Sequence, residues 1–204
     1  MPPRCAVCGA ACEPAETVCG HCRGALSPRR SGRSHAGGVP VVWAAPYEGA
    51  ARELVASLKF RGRLDLARLA GACVAEAVER AGTDPGGRAV VPVPAAPLRR
   101  RRRGFDPGEL IAAAAADALA LPLVPCLTRR SGRRQVGRRR KVRLTEPPRV
   151  RVATEPPRAA LVIDDVLTTG ATIGACATAL RGAGCLDIAA AVFAHALGPA
   201  AREA

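Results

Sequence analysis

Between Leu161 and Ile173 the chain reads LVIDDVLTTGATI, and few folds accommodate that order of residues. The apolar run AALVI, from Ala159, meets two adjacent carboxylates, Asp164 and Asp165, and then the small, hydroxyl-bearing loop Thr168-Thr169-Gly170-Ala171-Thr172. Adjacent acids at the end of a buried strand mark a site where a ligand meets them. In an open parallel sheet, ligands bind just beyond the carboxyl ends of the strands, which is where this pair falls. The loop behind it leads into a helix N-terminus, whose free N–H groups and dipole attract a phosphate. Threonine hydroxyls add donors, and Gly170 lets backbone and ligand come close. A ribose 5-phosphate, with vicinal hydroxyls and a phosphate, suits this combination. A strand merely ending in a polar loop would account for one acid, not for the whole series.

The flanking sequence supplies the sheet that such a site requires. VPVVWAAPY reads as a short strand or hairpin edge, and Leu54, Val55 and Leu58 mark a helix that starts at Ala51. Leu66, Leu69, Ala70, Cys73, Val74, Ala77 and Val78 form an i, i+3, i+4 stripe for a second helix, which Gly82 to Gly87 breaks. RAVVPVP is a strand. DPGELIAAAAADALA is a helix with Asp106 as its cap, Pro107 in the first helical position and Glu109 closing a capping box. After AALVI, a helix from about Ala171 to Ala183 stops at Gly184, and DIAAAVFA is the last strand. Alternating strands and helices predict an α/β domain with a mainly parallel sheet flanked by helices.

Five of the nine cysteines stand in the first 22 residues. Cys5 with Cys8 and Cys19 with Cys22 make two Cys-x-x-Cys turns, which together offer the four thiolates of a tetrahedral structural zinc site. A disulfide framework or a redox pair is the alternative, though a redox Cys-x-x-Cys belongs beside a βαβ unit. Cys12 and His21 are possible substitute ligands, but neither completes a matching pair. Cys73, Cys126, Cys176 and Cys185, scattered among apolar residues, read as small core residues. A zinc-ribbon-like module over residues 1–27, a linker over 28–40 and the main domain over 41–198 follow. His35, within that polar, glycine-containing linker, is expected to be solvated.

The formal net charge of +14 is concentrated in two stretches. Arg99 to Arg103 is a run of five arginines, and Arg129 to Arg143 holds nine basic residues with no acid. Basic surface confined to two loops points to an anionic partner such as phosphate, pyrophosphate or nucleic acid. The plainer explanation is a compositional bias, since Lys59 and Lys141 are the only lysines. With only five aromatic residues, base-stacking platforms are scarce. The N-terminus MPPRCAVCGA has no apolar stretch long enough for a secretory signal, and charged or proline residues interrupt later apolar runs, as Asp117 does in IAAAAADALALPLV. A soluble, cytoplasmic protein without membrane insertion is expected.

DDVLTTGAT is similar to the phosphoribosyl pyrophosphate motif of type I phosphoribosyltransferases, and its surroundings resemble the ComF family of phosphoribosyltransferase-like proteins. The resemblance runs through the paired Cys-x-x-Cys turns and through PYEGAARELVASLKFRGR, with Tyr47, Gly49, Lys59, Phe60 and Gly62. It continues through VPVP with the arginine run and Arg103-Gly104-Phe105, and through Arg129 and Gln135. Two positions depart from the family pattern: Asp106 and Pro107 stand in place of Asn-Gln, and no asparagine lies near Val142. The resemblance implies a phosphoribosyltransferase-type α/β domain that binds phosphoribosyl pyrophosphate with Mg²⁺ and transfers the sugar to a nitrogen acceptor. Asp164 and Asp165 would hold the ribose hydroxyls and stabilise the developing cation. Thr168, Thr169, Gly170, Ala171 and Thr172 would fix the sugar phosphate, with Pro92 to Pro94 and Arg103 at the pyrophosphate. Through the family's link with natural competence, the resemblance also implies a non-catalytic alternative: an adaptor for DNA uptake that binds single-stranded DNA and a competence helicase.

Overall fold

In the computed structural model, which describes residues 3–14, 16–83, 86–129 and 148–196, two cysteine turns are followed by a short helix, α1 (Gly20–Ala25). A 3-10 turn at Pro28–Arg30 leads into β1 (Gly32–Ala36) and β2 (Val39–Pro46). Then come α2 (Gly49–Phe60), α3 (Leu66–Arg80), β3 (Ala89–Pro92), α4 (Pro97–Arg103) and α5 (Pro107–Ala118). The chain continues with β4 (Leu127–Arg129), β5 (Val150–Val152), β6 (Ala159–Leu167), α6 (Ala171–Gly182) and β7 (Asp187–His195).

The main sheet has the order β1-β2-β7-β6-β3, with β2, β7, β6 and β3 parallel and β1 antiparallel at the edge. β4 and β5 form a small separate antiparallel ladder. Leu161 and Ile163 of β6 pack into one apolar cluster with α2, α3 and α5, and Ala160 and Val162 pack into another with α6. A strand buried on both faces has to be apolar at every position, which explains the unbroken hydrophobic runs of β6 and β7. The expected α/β class, with a mainly parallel sheet flanked by helices, is the one observed.

Four local expectations are corrected. Residues 28–40, read as a linker, carry β1, which pairs with β2 from Gly32↔Trp43 to Ala36↔Val39. Its polar residues face outward from an edge strand, and Gly37-Gly38, both at positive φ, make the two-residue turn of a hairpin. The cysteine turns are not set apart either, because Cys5, Ala6, Val7, Val18, Cys22 and Leu26 share the apolar cluster of α2, α3 and α5. The arginine run is helical as α4, started by Pro97 and ended by Gly104 at φ 78°. The basic residues from Arg130 to Arg143, with Gln135, and the boundary at residue 198 lie outside the described residues. Finally, Asp106 caps α5 by accepting from Gly108 N–H, but Glu109 does not close the expected box. Its carboxylate is drawn to Arg100 of α4, at 3.9 Å.

α3 and α5 cross closely at Gly71, where a Cβ would lie 2.5 Å from Ala114 Cβ and 2.8 Å from Ala115 N. Gly71→Ala would gain ~1 kcal/mol of helix propensity but overpack the crossing by ~1–3 kcal/mol. Urea unfolding of Gly71→Ala should therefore give a lower midpoint at unchanged slope; a higher midpoint would mean the helices separate without strain.

Candidate functional site

The site arises from two neighbouring strands of unequal reach. β3 pairs with β6 only as far as Pro92↔Ile163, with Val93 N–H donating to Ile163 O at 2.9 Å. On its other side β6 stays paired with β7 through Leu167↔His195. Pro94 has no N–H for the ladder, and the next donor, Ala95 N–H, goes to Asp106 Oδ2 at 2.9 Å. The chain therefore leaves the sheet and opens a notch beside the last residues of β6. Asp164 and Asp165, expected just past the strand, lie inside it and line that notch.

The resulting cleft holds about 290 Å³. Its wall is formed by Asp164, Asp165 and Val166 of β6, Thr168 and Thr172 beyond it, Val93 to Ala95, and Asp106 to Gly108 at the start of α5. Tyr47, Lys59, Arg103 and Arg129 complete it. A larger cavity of about 670 Å³ lies between Cys8, His21 and the start of α2. There Arg30 and Glu48 pair with each other at 2.6 Å, whereas the converging carboxylates all belong to the smaller cleft.

Three carboxylates meet in the cleft, each in a different state. Asp165 pairs with Lys59 Nζ at 2.7 Å. Asp106 is buried, and both its oxygens accept backbone N–H groups, from Ala95 at 2.9 Å and Gly108 at 3.0 Å. Asp164 Oδ1 accepts from Asp165 N–H at 2.8 Å. Burial, reinforced by the neighbouring charge of Asp165, nevertheless pushes the Asp164 carboxyl up to about 8, against the pull of that N–H and of Lys59. Around neutral pH Asp164 is thus largely a hydroxyl donor beside an ionised neighbour. The Arg103 guanidinium lies 5.1 Å from the ring centroid of Phe60.

The loop residues divide. Thr168 and Thr172 face the cleft, whereas Thr169, Gly170 and Ala171 build the turn behind it. Thr169 Oγ1 accepts from Ala171 N–H at 3.4 Å. Gly170 is the N-cap of α6 at φ 74°, and a Cβ there would lie 2.5 Å from Ala36 Cβ. The glycine is therefore required by its dihedral and by packing on β1, not by open approach to a ligand. Asp164, Asp165, Thr168, Thr172 and Arg103 are gathered as expected. Lys59 and Asp106 gained no chemical role from the sequence; the signal for Lys59 is that a chain otherwise using arginine places a lysine there.

Cys5, Cys8, Cys19 and Cys22 bring their sulfurs within 4.8 Å of one another, with Cys8 Sγ and Cys19 Sγ 3.8 Å apart. A tetrahedron with Zn–S distances of ~2.3 Å has edges of ~3.8 Å, so the four thiols fit a metal ion such as zinc. Although burial acts against it, backbone N–H donors from Cys8, Cys19 and Val7 hold the Cys5 thiol down at about 6, while burial pushes Cys22 up. Cys12 stays outside the cluster, its thiol donating to Glu16 O at 3.3 Å, and His21 is exposed. Cys73, Cys126, Cys176 and Cys185 are buried.

No helix among the described residues is long and apolar enough to cross a membrane. Comparison of the chain with protein-family models and with curated proteins gives no match.

The elevated Asp164 sets a pH dependence. Between ~pH 4 and ~pH 8 the folded chain keeps this proton and the unfolded chain releases it, so stability falls as pH rises through that window. Asp164→Asn removes the slope and keeps an acceptor for Asp165 N–H. Its gain in urea midpoint over the parent should be larger at about pH 9 than at about pH 5, and a gain independent of pH would contradict the assignment.

Proposed function

We propose that the cleft binds phosphoribosyl pyrophosphate, and that the chain is a ComF-like member of the type I phosphoribosyltransferase class acting in the cytoplasm. The observation that carries this reading is the pair Asp164-Asp165 in the sheet notch, opposite Thr168 and Thr172 at the start of α6 and flanked by Lys59 and Arg103. The Asp165 carboxylate accepts from one of the vicinal ribose hydroxyls, the protonated Asp164 carboxyl bonds the other as donor or through its carbonyl oxygen, and hydroxyls at a helix N-terminus donate to the sugar phosphate. Arg103 supplies a planar donor for the pyrophosphate. In transfer, the anomeric C–O bond breaks, pyrophosphate leaves, and a C–N bond forms to a nitrogen acceptor. The Asp165 carboxylate stabilises the positive charge that builds on the sugar ring, joined by Asp164 when it gives up its proton. Mg²⁺, bound with the substrate, would offset charge on the pyrophosphate. The four-cysteine cluster is read as a structural zinc site with no open position for chemistry.

A second reading is favoured by the surface beside the cleft. Arg100, Arg101 and Arg102 of α4 are exposed, and Phe60 is 75 % exposed. Arginines beside an accessible aromatic suit single-stranded DNA, in an adaptor that works with a competence helicase during DNA uptake.

Calorimetry with phosphoribosyl pyrophosphate and Mg²⁺ tests the first reading. A hydrogen bond to a charged group contributes roughly 1.5–3 kcal/mol and a neutral one roughly 0.5–1.5 kcal/mol, so Asp164→Asn with Asp165→Asn should weaken binding about a hundredfold, and Thr168→Val by a smaller factor. A double variant that binds as well as the parent, or that unfolds, would sink this reading. For the second reading, reversing Arg100, Arg101 and Arg102 to glutamate should weaken single-stranded DNA binding and flatten its salt dependence. Unchanged DNA affinity in that variant excludes α4 as the contact.

A further inference from the structure

The cysteine cluster and the cleft meet at opposite faces of one helix, α2. Ser57 is fully buried, and its hydroxyl donates to Ala6 O, at 2.9 Å, within the first cysteine turn. The same Oγ accepts from Arg61 Nη1 at 3.0 Å, and Arg63 N–H donates to Ser57 O at 3.3 Å. Two residues on, Lys59 Nζ pairs with Asp165 Oδ2 at 2.7 Å. At ~100° per residue, positions two apart face nearly opposite directions, so a turn of α2 on the Ser57 side swings Lys59 within the cleft.

Ala51, Leu54, Val55 and Leu58 bury α2 in the main apolar cluster, and part of that packing is against the cysteine turns themselves. The chief neighbours of α2 among the helices and strands are α1 and α3, and Leu54, Val55 and Leu58 share that cluster with Cys5, Ala6, Val7 and Cys22. Ala6 in turn lies between two of the cluster's cysteines, and its own N–H donates to Thr17 O at 2.9 Å, just before the second pair. The acceptor of Ser57 is therefore held in place by the same turns that bring the thiols together.

We propose that metal occupancy of the Cys5-Cys8-Cys19-Cys22 cluster sets the position of Lys59 through Ser57, and so sets the ligand affinity of the cleft. Ser57 is a positioning residue: it touches no ligand and acts through the helix that carries Lys59. With the turns closed on a metal, Ala6 O stays on the Ser57 hydroxyl and Lys59 stays on Asp165. When the turns open, a fully buried hydroxyl loses its acceptor, α2 shifts, and Asp164 and Asp165 lose their nearest cation. The consequence for affinity rests on the ligand reading given above; the coupling itself does not.

The test uses the full chain and the fact that Lys59 and Lys141 are its only lysines. Zinc-loaded, chelated and zinc-restored protein, and zinc-loaded Ser57→Ala, are treated briefly with an amine-acylating reagent. Modification of Lys59 relative to Lys141 is read by mass spectrometry, zinc content by elemental analysis and folding by circular dichroism. Opening a shielded charge-assisted hydrogen bond should raise the ratio about tenfold on chelation, with reversal on zinc addition. Ser57→Ala should show a rise of several-fold with zinc still bound. An unchanged ratio in zinc-loaded Ser57→Ala, or in chelated protein that keeps its circular dichroism, overturns the proposal. If chelation unfolds the chain, Ser57→Ala alone decides. No sugar phosphate is present, so a parent protein that fails to bind phosphoribosyl pyrophosphate overturns the functional reading and leaves this result standing.

Discussion

Asp106 ends one strand and begins one helix with the same carboxylate. Its Oδ2 takes Ala95 N–H out of the sheet, and its Oδ1 takes Gly108 N–H at the start of α5. Without that diversion β3 would have a donor left to follow β6, and the notch that exposes Asp164 and Asp165 would close. The interaction also occupies an anion site, because the open N–H groups of α5 would otherwise attract a ligand phosphate themselves. With α5 already capped by a carboxylate, the free helix N-terminus at the cleft is that of α6, where Thr168 and Thr172 stand. The charge of Asp106 in turn helps to raise Asp164. One capping residue thus shapes the wall, assigns the phosphate end and adjusts the acid opposite.

Placing three carboxylates around about 290 Å³ is tolerable because each sheds its charge differently. Asp106 spreads its charge over two backbone donors, Asp165 shares its charge with Lys59, and Asp164 keeps its proton. Were all three ionised and unpaired, mutual repulsion and desolvation would force the notch open or fill it with cations. The cleft so arranged offers both an ionised acceptor and a hydroxyl donor on adjacent residues of β6.

How much of this could be read from the chain depended on the range of the interaction. β6, β7, α3, α5 and α6 follow from local pattern: unbroken apolar runs buried on both faces, an i, i+3, i+4 stripe, a cap and a terminating glycine. The four cysteines were legible because turn geometry fixes their spacing. β1 was not, since an edge strand facing solvent has the composition of a linker and differs only in its distant partner. α4 was missed for the converse reason: an arginine run carries charge information that hides good helix propensity. The Lys59–Asp165 pair joins residues far apart in the chain, and no local spacing encodes it. Gly170 had the right residue type and an incomplete explanation, because its contact with Ala36 depends on a hairpin the sequence did not reveal.

The basic side of the cleft is held differently from the acidic side, and the difference matters for recognition. Among the described residues Arg103 forms no ion pair with Asp164 or Asp165, and its guanidinium rests over Phe60. An exposed cation–π contact contributes ~0.5–1 kcal/mol, about as much as an exposed ion pair, so the stack keeps Arg103 off the carboxylates without holding it tightly. A guanidinium paired with a carboxylate would have to be pulled away, leaving a charge unpaired, before it met an anion. Leaving an aromatic ring exposes only a face that is already largely in water. Lys59 is committed to Asp165 within the partly shielded cleft, whereas Arg103 is parked on a neutral surface at its edge. Beside Arg129, the cleft therefore has one fixed cation, Lys59, that organises its acids and one, Arg103, that an anion can recruit at small cost.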